Sequence, residues 1–118
     1  MTLSVSDPTV SVIIPVYKGG DNFFRCLSSI KDLRTFPAEV IVVADGESDR
    51  YWKLTEKFDF LLLSLPIQGG PARARNYGAH HAKGEILLFI DADVTLPNDT
   101  IEKVVDTFKN DTDLAALI

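Results

Sequence analysis

Gly84-Glu85-Ile86-Leu87-Leu88-Phe89-Ile90-Asp91-Ala92-Asp93 decides how the rest of this chain is read. Its apolar run, Ile86 to Ile90, has no polar alternation, the pattern of a parallel strand covered by helices on both faces. Two carboxylates stand at its exit. If the backbone stays extended there, residues two apart point the same way, so Asp91 and Asp93 converge just beyond the C-terminal edge of a sheet. Like charges held that close call for a counter-charge. A hard divalent cation with oxygen ligands, shared with a phosphate, supplies one. The plainer alternative is that one Asp caps the next helix or solvates a turn.

Outward from this stretch the chain alternates. Val10 to Val16 is β-branched and apolar and reads as the first strand, with Pro15 near its end where a lost N–H is tolerated. A Tyr17-Lys18-Gly19-Gly20 turn leads to a helix capped by Asp21 or Asn22, with Phe23, Leu27 and Ile30 on its inner face, Phe24 and Cys26 flanking. Glu39 to Ala44 is a second strand, left through Asp45-Gly46-Glu47-Ser48-Asp49. Ser48 or Asp49 caps a short helix from Tyr51 to Lys57, and Tyr51 and Trp52 read as packing residues. Phe60 to Leu65 is a third strand ended by Pro66. Gly69-Gly70 precedes Pro71 at a first helical position, and the helix runs to Lys83 before Gly84 stops it. After the acidic stretch, Asp99 and Glu102 at capping-box spacing open a helix with Ile101, Val104, Val105 and Phe108 inward. Leu114 to Ile118 reads as the start of a fifth strand.

This alternation predicts an α/β fold: a mainly parallel sheet with right-handed crossovers and helices on both faces. Ligands in such sheets bind beyond the carboxyl ends of the strands, where the strand order reverses. With the order 3-2-1-4, Tyr17-Lys18, Asp45-Gly46 and Asp91-Ala92-Asp93 leave neighbouring strands. The start of the Pro71 helix, with Arg73 and Arg75, lies beside them and favours an anion. Arg73 and Arg75 diverge around the helix, so both do not aim at one ligand. Asp45 accepts a hydrogen bond from a base or ribose, or forms an Asx turn. His80 and His81 lack partners at metal-ligand spacing and read as structural or exposed.

The chain has 118 residues, 46% of them hydrophobic and 25% charged, the composition of one globular domain. A formal net charge of −5 argues against a nucleic-acid surface. The single Cys26 excludes an intramolecular disulfide and a cysteine-based zinc site and reads as a packed core thiol. The first residues lack a secretory-signal pattern, and no apolar run is long enough to span a bilayer. The expectation is a cytoplasmic, soluble protein, with an anchor allowed for in any C-terminal extension.

Val10 to Tyr17, Val40 to Gly46, Gly69 to Gly78 with its Ala74-Arg75-Asn76, and Gly84 to Asp93 resemble, in order, the successive motifs of family 2 glycosyltransferases with the GT-A fold. The resemblance implies a Rossmann-like N-terminal part of that fold, with residues 1–118 as the donor-nucleotide-binding part of a domain cut before its acceptor-binding half. It implies transfer of a sugar, with inversion, from a nucleotide-diphosphate donor, a UDP-sugar foremost, to an unknown acceptor. Asp45 would lie against the nucleobase, with Pro15, Val16 and Tyr17 as the adjoining wall and Arg75 beside them. Asp91 would approach the ribose, and Asp93, with Asp91, would bind the Mg²⁺ or Mn²⁺ carrying the diphosphate. The sequence departs from the family at Lys18, where Asn is common, at Ala44, where a second Asp is common, and at Glu47-Ser48, where Ser-Thr is common. No catalytic general base is identifiable in these residues. The competing expectations are a non-catalytic nucleotide-binding or assembly module, self-associating through an open sheet edge, and, as a fold-level analogy, a phosphotransfer or receiver domain.

Overall fold

The computed structural model describes residues 6–46 and 51–110. Four strands, β1 (Val10–Val16), β2 (Glu39–Asp45), β3 (Leu61–Leu65) and β4 (Ile86–Phe89), pair in parallel in the order β3-β2-β1-β4. The predicted order is therefore the observed one, and β2, β1 and β4 deliver their C-terminal ends side by side. Among the described residues four helices connect and follow them: α1 (Asp21–Lys31), α2 (Trp52–Phe58), α3 (Pro71–His81) and α4 (Thr100–Asn110).

Both faces of the sheet are covered, which is why its strands show no polar alternation. Val10, Val12, Ile14 and Val16 of β1 join Val40, Val42 and Ala44 of β2 and Ile86 and Leu88 of β4 in one core, closed by α1, α2 and α4. Ile13, Ile41, Val43 and Leu65 form a smaller core under Ala74 of α3. Helix α3 lies close because Gly78 has no side chain: a Cβ there would stand 2.6 Å from Ile13 Cγ2 and 2.9 Å from Val43 Cγ2.

Pro15 sits inside β1, opposite Val43 of β2. The Ile90 N–H donates to Ile13 O, so the next rung on that side would need an N–H from residue 15. Proline has none. The β1–β4 ladder stops there and releases the chain at Asp91.

At the opposite edge of the sheet a polar network replaces apolar packing. The Ser11 hydroxyl donates to Glu39 Oε2 (2.6 Å), the Lys83 N–H donates to the same oxygen (2.6 Å), and the Gly84 N–H donates to Ser11 Oγ (2.8 Å). Burial alone would push the Glu39 carboxyl up, but the hydrogen bonds from Lys83, Ser11 and Gly84 together outweigh it and hold it below its usual 4.5.

Several local expectations are corrected. Helix α1 starts from Gly20 without a side-chain cap; Asp21 is already helical, and Asn22 accepts from Arg25 instead. Helix α3 ends at His81, two residues short of Lys83, because Lys83 and Gly84 are drawn into the Ser11–Glu39 network. The capping box of α4 does not form: Asp99 pairs with Lys103 at 3.1 Å, and Glu102 is buried with Arg34 at 3.8 Å and no hydrogen bond. Trp52 is 61% exposed rather than packed. The expected fifth strand and the Ser48 or Asp49 cap fall outside the described residues.

Two outcomes are expected. Gly78→Ala overpacks the α3 interface and lowers stability by about 1–3 kcal/mol, read as a lower denaturant midpoint at unchanged slope. Because the folded-state pKa of Glu39 lies below its unfolded value, its contribution is fully present above that value and is lost as pH falls through the folded one. Thermal melts from about pH 5 to pH 3 should therefore show a smaller loss for Glu39→Gln than for the wild type.

Candidate nucleotide-binding site

The turn after β1 carries Tyr17 and Lys18, both exposed, with the Lys18 ammonium 5.3 Å from the Tyr17 ring centroid. Lys18 has φ 54°, a left-handed conformation that Asn adopts more readily than Lys and that costs a non-glycine residue about 1–2 kcal/mol. Among the sequence-predicted wall residues, Pro15 is half-buried and Tyr17 open, but Val16 is 2% exposed and turned into the core. Val16 therefore offers only its backbone to a ligand.

Asp45, at the end of β2, is 3% exposed. Its Oδ1 accepts from the Gly69 N–H (2.9 Å) and its Oδ2 from the Gly70 N–H (3.0 Å). The carboxylate thus fastens the β3–α3 loop to β2, while two of its roughly four lone-pair positions remain. Gly70, at φ 93°, turns the chain so that Pro71 enters α3 at its first position. Arg73 folds back over this loop, its Nη1 donating to Ile67 O (3.1 Å), so it is spent locally; Arg75, about 200° further around the helix, is half-buried.

Asp91 and Asp93 do not lie on an extended strand, as the pleat argument expected. They lie in a turn, closed by the Val94 N–H on Asp91 O at 3.1 Å, because Pro15 has ended the ladder. Both side chains are exposed. Helix α1 and the residues after it back this turn: the Cys26 thiol points at Asp91 O (3.9 Å), the Leu96 N–H donates to Ser29 Oγ (3.0 Å), and the Arg34 N–H, beyond the end of α1, donates to Asn98 O (2.9 Å). Burial, and then the Asp93 carboxylate, pushes the Cys26 thiol up to about 12, so it stays protonated and able to donate. Among the described residues no three His, Cys, Asp or Glu side chains gather at one point, so Asp45 does not join Asp91 and Asp93 as a ligand set. The His81 Nδ1–H donates to Tyr77 O (2.9 Å) on the exposed side of α3, away from the acidic turn, and His80 is likewise exposed.

A groove of about 410 Å³ runs between β4 and α4, lined by Leu88, Ile90, Val94, Leu96, Val104 and Phe108. Its apolar lining suits a hydrocarbon surface rather than a charged nucleotide.

The sequence profile described as Glycosyl transferase family 2 matches residues 11–118. The chain belongs to glycosyl transferase family 2. It is 35% identical over 108 residues to glycosyltransferase AglE of Haloferax volcanii, covering 85% of this chain and 35% of that one. Among solved structures, S. aureus TarS 1-349 in complex with UDP-GlcNAc superposes with a TM-score of 0.78 at 28% identity, over 86% of this chain and 31% of that one. The mannosyltransferase PcManGT from Pyrobaculum calidifontis, in complex with GDP-Man and Mn²⁺, superposes with a TM-score of 0.76 at 30% identity, over 92% and 34%. This family 2 chain thus spans about a third of the length of the proteins it matches, and its four-stranded sheet is the Rossmann-like part of a GT-A fold.

One residue of the site was read differently from the sequence. Tyr51 is buried as a packing residue should be, edge-on to Phe23 with ring centroids 5.3 Å apart, but its phenol oxygen also accepts from the Gly19 N–H at 2.7 Å. No spacing rule links residues 19 and 51. Asp45→Asn places an amide NH₂ against one of the two glycine N–H groups; the expected result is a stability loss of about 1–3 kcal/mol and faster hydrogen exchange at Gly69 and Gly70.

Proposed function

We propose that this chain is the donor-nucleotide-binding part of a metal-dependent family 2 glycosyltransferase that transfers a sugar, with inversion, from a nucleotide-diphosphate donor, a UDP-sugar foremost. The observation carrying this reading is the exposed Asp91–Asp93 turn at the topological switch between β1 and β4. The relatives in complex with UDP-GlcNAc and with GDP-Man and Mn²⁺ support it.

The residues present fit a hard cation. Asp91 and Asp93 offer carboxylate oxygens, the donor type Mg²⁺ and Mn²⁺ prefer, and two protein ligands leave positions for diphosphate oxygens and water. Such an ion, when bound, stabilises the charge that grows on the leaving diphosphate. In this reading Asp93 and Asp91 hold the ion, Asp91 also facing the ribose. Tyr17, Pro15 and the backbone of Val16 flank the base, and Asp45 reaches it through its remaining lone pairs while holding the Gly69-Gly70 loop. Arg75 contributes positive charge at the pocket wall. Because the chain spans about a third of its relatives' length, we assign the acceptor site and the general base to residues outside it. Among the described residues no helix is long and apolar enough to cross a membrane; we place the reaction in the cytoplasm, at a membrane face if the longer protein is anchored.

A second reading, an assembly module, is favoured by the apolar groove beside the outer edge of β4. Light scattering separates the two: a strict monomer removes the self-associating form.

Calorimetric titration with UDP and with GDP, each with and without Mn²⁺, tests the leading reading. The expected result is metal-dependent binding of at least one nucleotide, abolished by Asp93→Ala. A folded sample that binds neither nucleotide, in this chain and in the longer protein, overturns it.

A further inference from the structure

The turn after β1 is held in a conformation its sequence does not favour. Lys18 is left-handed, and Gly19 is pressed so close to the core that a Cβ there would stand 2.8 Å from Val16 Cγ2 and 3.0 Å from Phe23 Cβ. Among the described residues, the Tyr51 phenol is the one side chain hydrogen-bonded to the backbone of residues 17–20. Tyr51 is itself fixed. Its ring is 2% exposed and packed edge-on against Phe23, and its carbonyl accepts from both the Thr55 N–H (3.0 Å) and the Thr55 hydroxyl (2.9 Å) at the start of α2.

We propose that Tyr51 is a positioning residue for nucleotide binding: its phenol oxygen, anchored at the start of α2, fixes Gly19 and thereby sets Tyr17 and Lys18 at the mouth of the site. The inference rests on the functional reading above and adds to it a residue that touches no ligand. A left-handed lysine persists only where its surroundings over-determine it. Gly20 O is occupied in starting α1, accepting from the Phe23 and Phe24 N–H groups, so the turn is pinned at both ends: by α1 behind it and by Tyr51 beside it. The bond also couples two strand ends, since Tyr51 comes after β2 in the chain and Gly19 lies in the turn that leaves β1. Removing the oxygen leaves the ring packing intact but strands a backbone N–H. The turn then samples other conformations, and the binding-competent one is a smaller fraction of the whole.

Tyr51→Phe is compared with Ser11→Ala, which removes hydrogen bonds at the far edge of the sheet and serves as a control for stability alone. Nucleotide Kd with Mn²⁺, melting temperature and the exchange rate of the Gly19 amide are measured for each. For Tyr51→Phe the expected result is a Kd raised about three- to tenfold, the range one backbone hydrogen bond supports, with faster exchange at Gly19. For Ser11→Ala the melting temperature falls and Kd is unchanged. Equal Kd in wild type and Tyr51→Phe, or the same rise in both variants, overturns the inference and leaves the functional reading standing. A folded wild type that binds no nucleotide, in this chain and in the longer protein, overturns both. If Tyr51→Phe does not fold, the wild type decides: nucleotide should slow exchange at Lys18 and Gly19 relative to Gly84, and no such difference refutes the role.

Discussion

A single missing N–H shapes the C-terminal edge of the sheet. β1 is one of two interior strands, paired to β2 from Ser11 to Val16 and to β4 only as far as Ile13 and Phe89. Pro15 has nothing to donate to the next carbonyl of β4, so the ladder ends one rung later at Ile90 and the chain peels away into the Asp91–Val94 turn. The backbone polar groups that leave the ladder find new partners. The turn closes on itself, α1 supplies Ser29 Oγ and the protonated thiol of Cys26, and the Arg34 N–H beyond the end of α1 donates to Asn98 O.

The loops at this edge share one design. Each is held by a side chain from another element, so the exposed groups sit on a fastened backbone. Asp45 holds the loop before α3, Tyr51 the turn after β1, and α1 the acidic turn after β4. Charge is left outside: Lys18, Asp91 and Asp93 are exposed, whereas Asp45 is buried and doubly hydrogen-bonded. A buried carboxylate that accepts two backbone N–H groups is compensated for its lost hydration. Exposed carboxylates in a pinned turn keep their oxygens available, which is the requirement for gripping a cation.

The placement of parts of the candidate site was legible in the linear text. Asp91, Asp93, Asp45 and the Gly70-Pro71 helix start lie where strand ends and turn residues put them, and the sheet order brings their strands together. The uses of the side chains were less legible. Asp45 gave no sign that both its oxygens would be engaged by Gly69 and Gly70, and Arg73 none that it would fold onto Ile67 O. Asp91 and Asp93 leave the pleat because the end of β4 is imposed by Pro15 of the neighbouring strand and not by residues of β4. The Asp99–Glu102 spacing misled for a similar reason: Glu102 is drawn into the interior beside Arg34 rather than back to its own helix start.

What the sequence determined by itself is the alternation of strand and helix, the burial of both sheet faces and the family. The first two follow from periodicity and composition, which act over a few neighbouring residues and survive in any tertiary setting; the family follows from four motifs in order, Val10 to Tyr17, Val40 to Gly46, Gly69 to Gly78 and Gly84 to Asp93. What only the tertiary structure decided is which side chain holds which loop. Gly19 and Tyr51 are joined across the sheet edge, as are Asp45 and Gly69, and Cys26 and Asp91. Such bonds depend on the angle at which separate elements meet. That angle is set by core packing, Gly78 against Ile13 above all, and not by any local pattern.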